Sequence, residues 1–223
     1  MKRMKLVYLS LLAVVALGAF AAATASAEEG FLPKPATAII LGGKSILETT
    51  SGTKIECTKL DETTITFSSD KHGEGLLHWL GCKAEALFAY NSLADKAEEL
   101  LGKFLFLVCL DPKSSTGTLV DNFGIAVELD SPLHVEVPAE GLLLSITGTM
   151  LGAILTSGKA KLWNVEFLGK KGVSNVTSCL EGANVKSQSL TVETNESKKP
   201  EALSLSIESG LLQFKEEVEL MGS

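Results

Sequence analysis

Apolar and polar residues alternate one by one over three segments in the C-terminal part of the chain. These segments are 189–194, 203–208 and 212–220. Only Glu216 interrupts the apolar positions of the last segment. A period of two is typical of a strand with one buried and one solvated face, as in antiparallel sheets. The residues between the segments, 195–200 and Ser209-Gly210, have the composition of turns. The pattern therefore predicts a three-stranded meander over residues 186–220.

The N-terminal half shows the same pattern with more interruptions. Runs rich in Thr, Ile and Leu, which favour strands, recur between short turn sequences. Strands are predicted at 37–41, 45–50, 53–58, 63–68, 76–80, 105–110, 124–129, 133–137, 142–147 and 160–167. The fold class that follows is mainly β, an antiparallel sandwich or barrel with at most one or two short helices besides an N-terminal signal helix.

One segment between the predicted strands has helical composition. Ser92 can cap a helix N-terminus, and Asp95 stands three residues after it, as acidic residues do in capping motifs. Good helix formers follow up to Leu101, and Gly102 is a suitable residue to end a helix. The sequence therefore predicts a short helix over 92–101.

The N-terminus has the three parts of a secretory signal peptide. Three basic residues among the first five precede an apolar run from 6 to 23, and Ala25-Ser26-Ala27 forms a small-x-small cleavage site. The alternative is a transmembrane anchor, since the run approaches the ~17–25 apolar residues that a span needs. Its alanine-rich end and the cleavage site favour removal of residues 1–27 by a cut between Ala27 and Glu28. Residues 28–223 are then expected to form a single exported mainly-β domain, secreted or in the cell envelope, with no transmembrane segment.

Charge excludes some partners of the exported chain. Removal of residues 1–27 takes away three cations and no anion, which lowers the formal net charge from −7 to −10. Nucleic acids and anionic membrane surfaces select basic patches, so neither is an expected partner. An extracellular or envelope partner of unknown kind remains open.

Four cysteines fit an oxidising compartment. An even number in an exported chain predicts two disulfides, and the sequence alone allows three connectivities. We favour Cys57–Cys82 and Cys109–Cys179, because the first pair is sequential and brackets a strand-turn-strand segment. A metal site built from His72, His78 and Cys82 is disfavoured, since their spacing matches no zinc motif.

Residues 38–45 (AIILGGKS) resemble a nucleotide-binding P-loop only in spelling. A P-loop lies between a strand and a helix, whereas three apolar residues occupy the loop interior here and a poor helix former follows Ser45. The stretch is therefore predicted to be a strand that enters a turn at Gly42-Gly43, with Lys44 solvated. We expect no nucleotide and no cofactor.

Other motifs point weakly to catalysis or to ligands. Ser51-Gly52-Thr53-Lys54 and Ser68-Ser69-Asp70-Lys71 match the acylating S-x-x-K motif, but neither is followed by its partner motifs. Trp79 and Trp163 could stack on a sugar, although core or edge anchors are favoured. Asn175 and Asn195 begin glycosylation sequons, which matter only in a eukaryotic secretory pathway. No catalytic residue is assigned.

The string TSGTKIEC (50–57), a later Gly81-Cys82-Lys83 and the final FKEEVELM (214–221) resemble a group of secreted proteins of unknown activity from soil actinobacteria. Members of this group are similar in having a signal peptide, a Thr-rich strand pair before a cysteine and an acidic last strand. The resemblance implies an exported all-β protein, and it supports the Cys57–Cys82 pairing. It implies no catalytic residue and no ligand.

Two function hypotheses follow from these observations. The first is a non-enzymatic exported module, stabilised by disulfides, with a structural or binding role. The alternative is a secreted barrel or sandwich that binds a small apolar ligand, or a secreted hydrolase of another type. A pocket with convergent polar groups would favour the alternative.

Overall fold

The computed structural model describes residues 36–69, 71–85, 87–91 and 98–220. Its strands form a closed antiparallel barrel with eight positions around the circumference. Most positions hold two strands in line, separated by a short bend. In chain order the positions are β1 (Ala36–Gly42) with β2 (Ser45–Thr49), β3 (Lys54–Cys57) with β4 (Lys59–Phe67), β5 (His72–Leu80) with β6 (Lys83–Ala84), β7 (Leu87–Phe88) with β8 (Glu99–Lys113), β9 (Phe123–Leu129) with β10 (Leu133–Val137), β11 (Leu142–Thr147) with β12 (Thr149–Ile154), β13 (Lys159–Phe167) with β18 (Thr191–Thr194), and β19 (Glu201–Glu219).

Each position pairs with the one before it and the one after it, and β19 pairs with β1 and β2 to close the barrel. The lower half is the ring β1, β4, β5, β8, β9, β12, β13 and the second part of β19. The upper half is the ring β2, β3, β6, β7, β10, β11, β18 and the first part of β19. A bridge between Tyr90, which follows β7, and Glu136 of β10 completes the upper ring. The prediction of a mainly-β sandwich or barrel is confirmed, as a barrel.

Two predicted turns are wrong. The turn predicted at Gly42-Gly43 does not reverse the chain, because β1 and β2 both run antiparallel to β19. Ser209-Gly210 is a bulge inside the 19-residue strand β19 and does not separate two strands. The three-stranded meander predicted over 186–220 is corrected accordingly. The reason is that the bend between β1 and β2 lies beside the bulge in β19. The neighbouring strands therefore bend together, and each continues in the same direction.

The predicted helix over 92–101 is corrected at its C-terminal end. Residues 92–97 lie outside the described residues, and residues 99–101 begin the strand β8. The side chain of Asn91 holds this strand start in an extended form. Its Nδ2 donates to the carbonyl of Leu101 at 2.6 Å and its Oδ1 accepts from the Leu101 amide at 3.1 Å. Burial of Leu100 and Phe104 inside the barrel favours the strand over the local helix propensity.

The barrel interior differs in composition between its two halves. Aromatic side chains fill the lower half, where Trp163 and Phe214 have ring centroids 4.5 Å apart and Trp79 and Phe104 lie 5.7 Å apart. Aliphatic side chains dominate the upper half. They include Leu47, Ile55, Leu133, Val135, Val137, Leu144, Ile146, Leu190, Val192 and Leu203. Of the two roles favoured for the tryptophans, core or edge anchor, the structure shows the first, since Trp79 and Trp163 are buried.

Residues 168–187, between β13 and β18, leave the barrel wall and cover its outer face. They contain two hairpins, β14 (Gly169–Lys170) with β15 (Val173–Ser174) and β16 (Ser178–Glu181) with β17 (Asn184–Ser187). A second core lies beneath the β16–β17 hairpin, and its buried members are Leu107, Cys109, Ala126, Leu151, Ala153, Val176 and Cys179. The Cys109–Cys179 disulfide joins this hairpin to β8, while Cys57–Cys82 joins the end of β3 to the start of β6. The structure thus contains both disulfides favoured from the sequence.

Candidate functional site

A cavity of about 210 Å³ lies inside the upper half of the barrel. Inward-facing residues of β2, β3, β11, β18 and β19 supply most of its wall. Seven lining residues are aliphatic: Leu47, Ile55, Leu142, Leu144, Ile146, Val192 and Leu203. The other five are Thr49, Thr53, Thr194, Glu196 and Glu201. The site is therefore an apolar chamber with a few polar groups.

Side-chain size explains why a cavity forms here. An eight-stranded barrel is just wide enough for side chains to fill it or for one small ligand to bind. In the lower half Phe67, Phe104 and Trp163 occupy this space. In the upper half the wall includes small buried residues, Ala84 on β6 and Ala89 after β7. None of the described residues that line the cavity is aromatic, so space remains between the aliphatic side chains.

The polar lining residues gather at the end of the barrel formed by the turns 50–53, 138–141 and 195–200, here called the turn end. Strands β2, β10 and β18 end there, and β3, β11 and β19 begin there. Leu142, Glu196 and the partly exposed Glu201 belong to this end. The chamber therefore has an apolar floor toward the aromatic core and a polar rim toward solvent.

Glu201 is held in place at the rim. Thr50 Oγ1 donates to Glu201 Oε1 at 2.7 Å, and the amide of Ser51 donates to the same oxygen. These hydrogen bonds, the one from Thr50 above all, hold the pKa of the Glu201 carboxyl below its ordinary value of 4.5. A carboxylate with a fixed position and a negative charge at neutral pH thus borders the cavity.

Asn195 braces the rest of the rim. Its Nδ2 donates to the carbonyl of Gly141 at 2.9 Å, and its Oδ1 accepts from the amide of Leu143 at 3.2 Å. These bonds tie the 195–200 turn to the 138–141 turn. The predicted sequon asparagine therefore has a structural role here, since both polar atoms of its side chain are engaged.

A second concavity, a groove of about 730 Å³, lies on the outer side of β3 and β6. Its charged lining residues are Lys44, Lys54, Glu56, Lys83, Glu85 and Glu98. Lys44 Nζ lies 2.7 Å from Glu56 Oε2, and this contact raises the pKa of Lys44 and lowers that of Glu56. The lysine of the P-loop-like stretch thus lies at a bend between strands and pairs with a carboxylate. Because three lysines and three glutamates line the groove, their formal charges balance and the groove selects no charge in a ligand.

The residues considered for a metal site do not converge. Cys82 is bonded to Cys57. His72 Nε2 lies 3.0 Å from Glu181 Oε1, and His78 Nε2 lies 3.0 Å from Glu99 Oε2. No group of three or more His, Cys, Asp or Glu side chains within the described ranges is arranged to hold a metal ion.

The S-x-x-K motifs also lack the geometry of their chemistry. That chemistry needs serine at the start of a helix with lysine one turn later. Ser51 lies in the turn between β2 and β3, and Lys54 begins β3. Ser68 and Ser69 lie in the turn between β4 and β5.

The proposed cleavage residues Ala25, Ala27 and Glu28 lie outside the described residues.

Sequence reasoning missed the cavity and its rim residues. Glu196 and Glu201 look like ordinary turn and strand-edge carboxylates in the sequence, and Thr50 looks like a strand end. One available signal was the distribution of aromatic residues, because the upper-half strands 133–137, 142–147 and 191–194 contain none. When several strands of one barrel carry only aliphatic inward-facing side chains at the same height, these side chains leave space between them.

Within the part of the chain that the structure describes, no helix has the length and apolarity needed to cross a membrane. Comparison with protein-family models, with curated proteins and with solved structures finds no match to this chain. The geometry of the cavity is therefore the basis for assigning a function.

Proposed function

We propose that this protein is an exported, non-catalytic binding module whose barrel holds a small apolar molecule in the cavity at the turn end. The observation that carries the proposal is the chamber of about 210 Å³ with seven aliphatic residues in its wall. An engineered cavity of ~150 Å³ with an aliphatic and aromatic lining binds benzene. The chamber is therefore large enough for a single ring with a short substituent.

The lining favours binding over catalysis. Its polar members are three threonines and two glutamates, and no histidine, cysteine or lysine is found among the described residues that line it. A nucleophile activated by a neighbouring base needs one of these types in most acyl-transfer and hydrolytic sites. The closed barrel and the Cys57–Cys82 disulfide constrain the wall of the upper half, which lowers the entropic cost of ligand binding. Export to an oxidising compartment fits the disulfides and remains part of the proposal.

Toluene is a suitable probe, since its volume fits the cavity and it carries no polar group. We expect saturable changes in the methyl NMR signals of Ile55, Ile146 and Val192 as toluene is added. The methyl signals of Ile125, which is buried in the lower half, should stay in place. If no cavity methyl responds up to the solubility limit of toluene, the proposal is wrong.

A plug variant tests the location of the site. Leu142 lines the cavity and is half-buried at the rim, so Leu142→Trp should fill the chamber and abolish toluene binding. Leu143→Trp is the matched control, because its side chain is 40% exposed and points away from the cavity. Loss of binding in both variants, or in neither, would contradict the assignment of this cavity.

A further inference from the structure

The charged groups that border the cavity all have one sign. Glu196 and Glu201 line it, and no Lys, Arg or His is found among the described residues of its wall. Lys198 and Lys199 lie on the same turn as Glu196, but both are exposed and neither belongs to the lining. A molecule in the chamber therefore meets aliphatic side chains around its body and carboxylate oxygens at the rim.

Glu201 is oriented before any ligand arrives. Its Oε1 accepts hydrogen bonds from Thr50 Oγ1 and from the Ser51 amide, which join the start of β19 to the β2–β3 turn. A preoriented acceptor loses little conformational freedom when a donor binds to it. Glu196 stands on the exposed turn before β19 and also lines the cavity, so a donor held at the rim meets two carboxylates.

We propose that the ligand of this cavity is a small amine with an apolar body. Its hydrocarbon part lies among Leu144, Ile146 and Val192, and its ammonium group lies between Glu196 and Glu201. This inference rests on the proposed function, since it names the class of ligand for the same site. An ammonium group supplies up to three N–H donors and a positive charge, which complements acceptors of negative charge. A carboxylate ligand of the same shape brings a like charge to the rim and gains no hydrogen bond from these two glutamates.

Three probes with the same ring separate these effects. Benzylamine, benzyl alcohol and benzoate differ in their polar group and place the same ring in the chamber. At neutral pH and low salt, we expect benzylamine to bind at least about fivefold more tightly than benzyl alcohol, because hydrogen bonds to charged partners are stronger than neutral ones. Benzoate should bind more weakly than benzyl alcohol. High salt should weaken the binding of benzylamine and leave that of benzyl alcohol nearly unchanged.

Charge-neutral variants test the two carboxylates. Glu201→Gln keeps an oxygen that can accept from Thr50 and Ser51, and Glu196→Gln changes an exposed turn residue that makes neither of these bonds. Each variant should reduce the preference for benzylamine over benzyl alcohol, and the double variant should reduce it to within about twofold. Glu193→Gln is the matched control, because Glu193 lies on β18 beside Val192 and points to the outside of the barrel.

The outcomes distinguish this inference from the proposed function. If toluene and benzyl alcohol bind but benzylamine binds no more tightly, the amine inference is wrong and the apolar site stands. If the preference for benzylamine survives in the double Gln variant, the rim carboxylates do not select the ligand and the inference is likewise overturned. If none of the probes binds, the proposed function fails with it.

Discussion

The backbone amide of Gly43 donates a hydrogen bond of 2.6 Å to the carbonyl of Glu208, and the amide of Glu208 donates one of 2.9 Å to the carbonyl of Lys44. These bonds join the bend between β1 and β2 to the bulge in β19. The inward-facing residues change parity across both irregularities, from Ile40 to Leu47 in one strand position and from Ile207 to Leu212 in the other. Because the two changes of parity lie side by side, the neighbouring strands stay paired, and the barrel wall continues from the aromatic lower half into the aliphatic upper half.

Substitution of Gly210 tests how tightly this bulge is packed. A Cβ at residue 210 would lie 2.6 Å from the carbonyl oxygen of Val165 in the neighbouring strand β13. Since backbone atoms must shift to relieve this contact, we expect Gly210→Ala to lower the free energy of unfolding by about 1–3 kcal/mol. Guanidinium unfolding measures the effect.

Ser209→Gly is the control in the same bulge. Ser209 has a φ of 53°, which glycine adopts without steric cost. The free energy of unfolding of this variant should differ from that of the wild type by less than about 1 kcal/mol. Equal and large losses in both variants would show that the bulge tolerates no change, whatever the contact to Val165.

Alternation along the chain predicts individual strands well. The predicted strands 133–137 and 142–147 have the same bounds in the structure, because every second residue, from Leu133 to Val137 and from Leu142 to Ile146, is apolar. The change of parity between Ile207 and Leu212 was equally visible, but a bulge and a turn can have the same composition. Only the partner strand decides between them, and here β1 and β2 keep β19 extended.

The closure of the barrel and its cavity could not be predicted from alternation. A period of two says which face of a strand is buried but not which strand lies beside it. Strands β13 and β18 occupy one barrel position although residues 168–190 separate them. The cavity depends on which inward-facing side chains meet across the barrel, and the rim depends on contacts such as the one between Thr50 and Glu201, which are 151 residues apart.

Residues 39 and 40 give a sharp test of which face of β1 is buried. Ile40 is 4% exposed inside the barrel, so Ile40→Asp should cost at least about 3 kcal/mol or prevent folding, because it buries a carboxyl group without a partner. Ile39→Asp, on the opposite and half-exposed face, should cost much less. Lys44→Ala should leave the unfolding midpoint nearly unchanged, since the ion pair of Lys44 with Glu56 is solvated. Thermal unfolding of the three variants checks this order, and similar midpoints for Ile39→Asp and Ile40→Asp would contradict it.

Removal of each disulfide should destabilise the protein to a different extent. The Cys109–Cys179 bond closes a loop with a sequence separation of 70, and Cys57–Cys82 closes one of 25. On the chain-entropy model the losses are at most about 4.4 and about 3.5 kcal/mol. Double serine variants of each pair, unfolded in guanidinium, measure both values. A pair whose removal leaves the free energy of unfolding unchanged would not be a stabilising bond.

Acid should weaken the rim through Glu201. The pKa of its carboxyl lies below the ordinary value of 4.5 in the folded protein, chiefly because Thr50 donates a hydrogen bond to it. Its stabilising contribution is therefore fully present above the unfolded pKa and is lost as the pH falls through the folded pKa. Glu201→Gln should flatten the decline in stability between about pH 5 and pH 3, and Thr50→Val should flatten it in part, because the carboxylate then loses its main donor. Glu56 and Asp61, whose pKa values are also lowered, will leave a residual slope. Unfolding midpoints measured across this range check the prediction, and an unchanged slope in Glu201→Gln would show that its bonds to Thr50 and Ser51 do not stabilise the folded barrel.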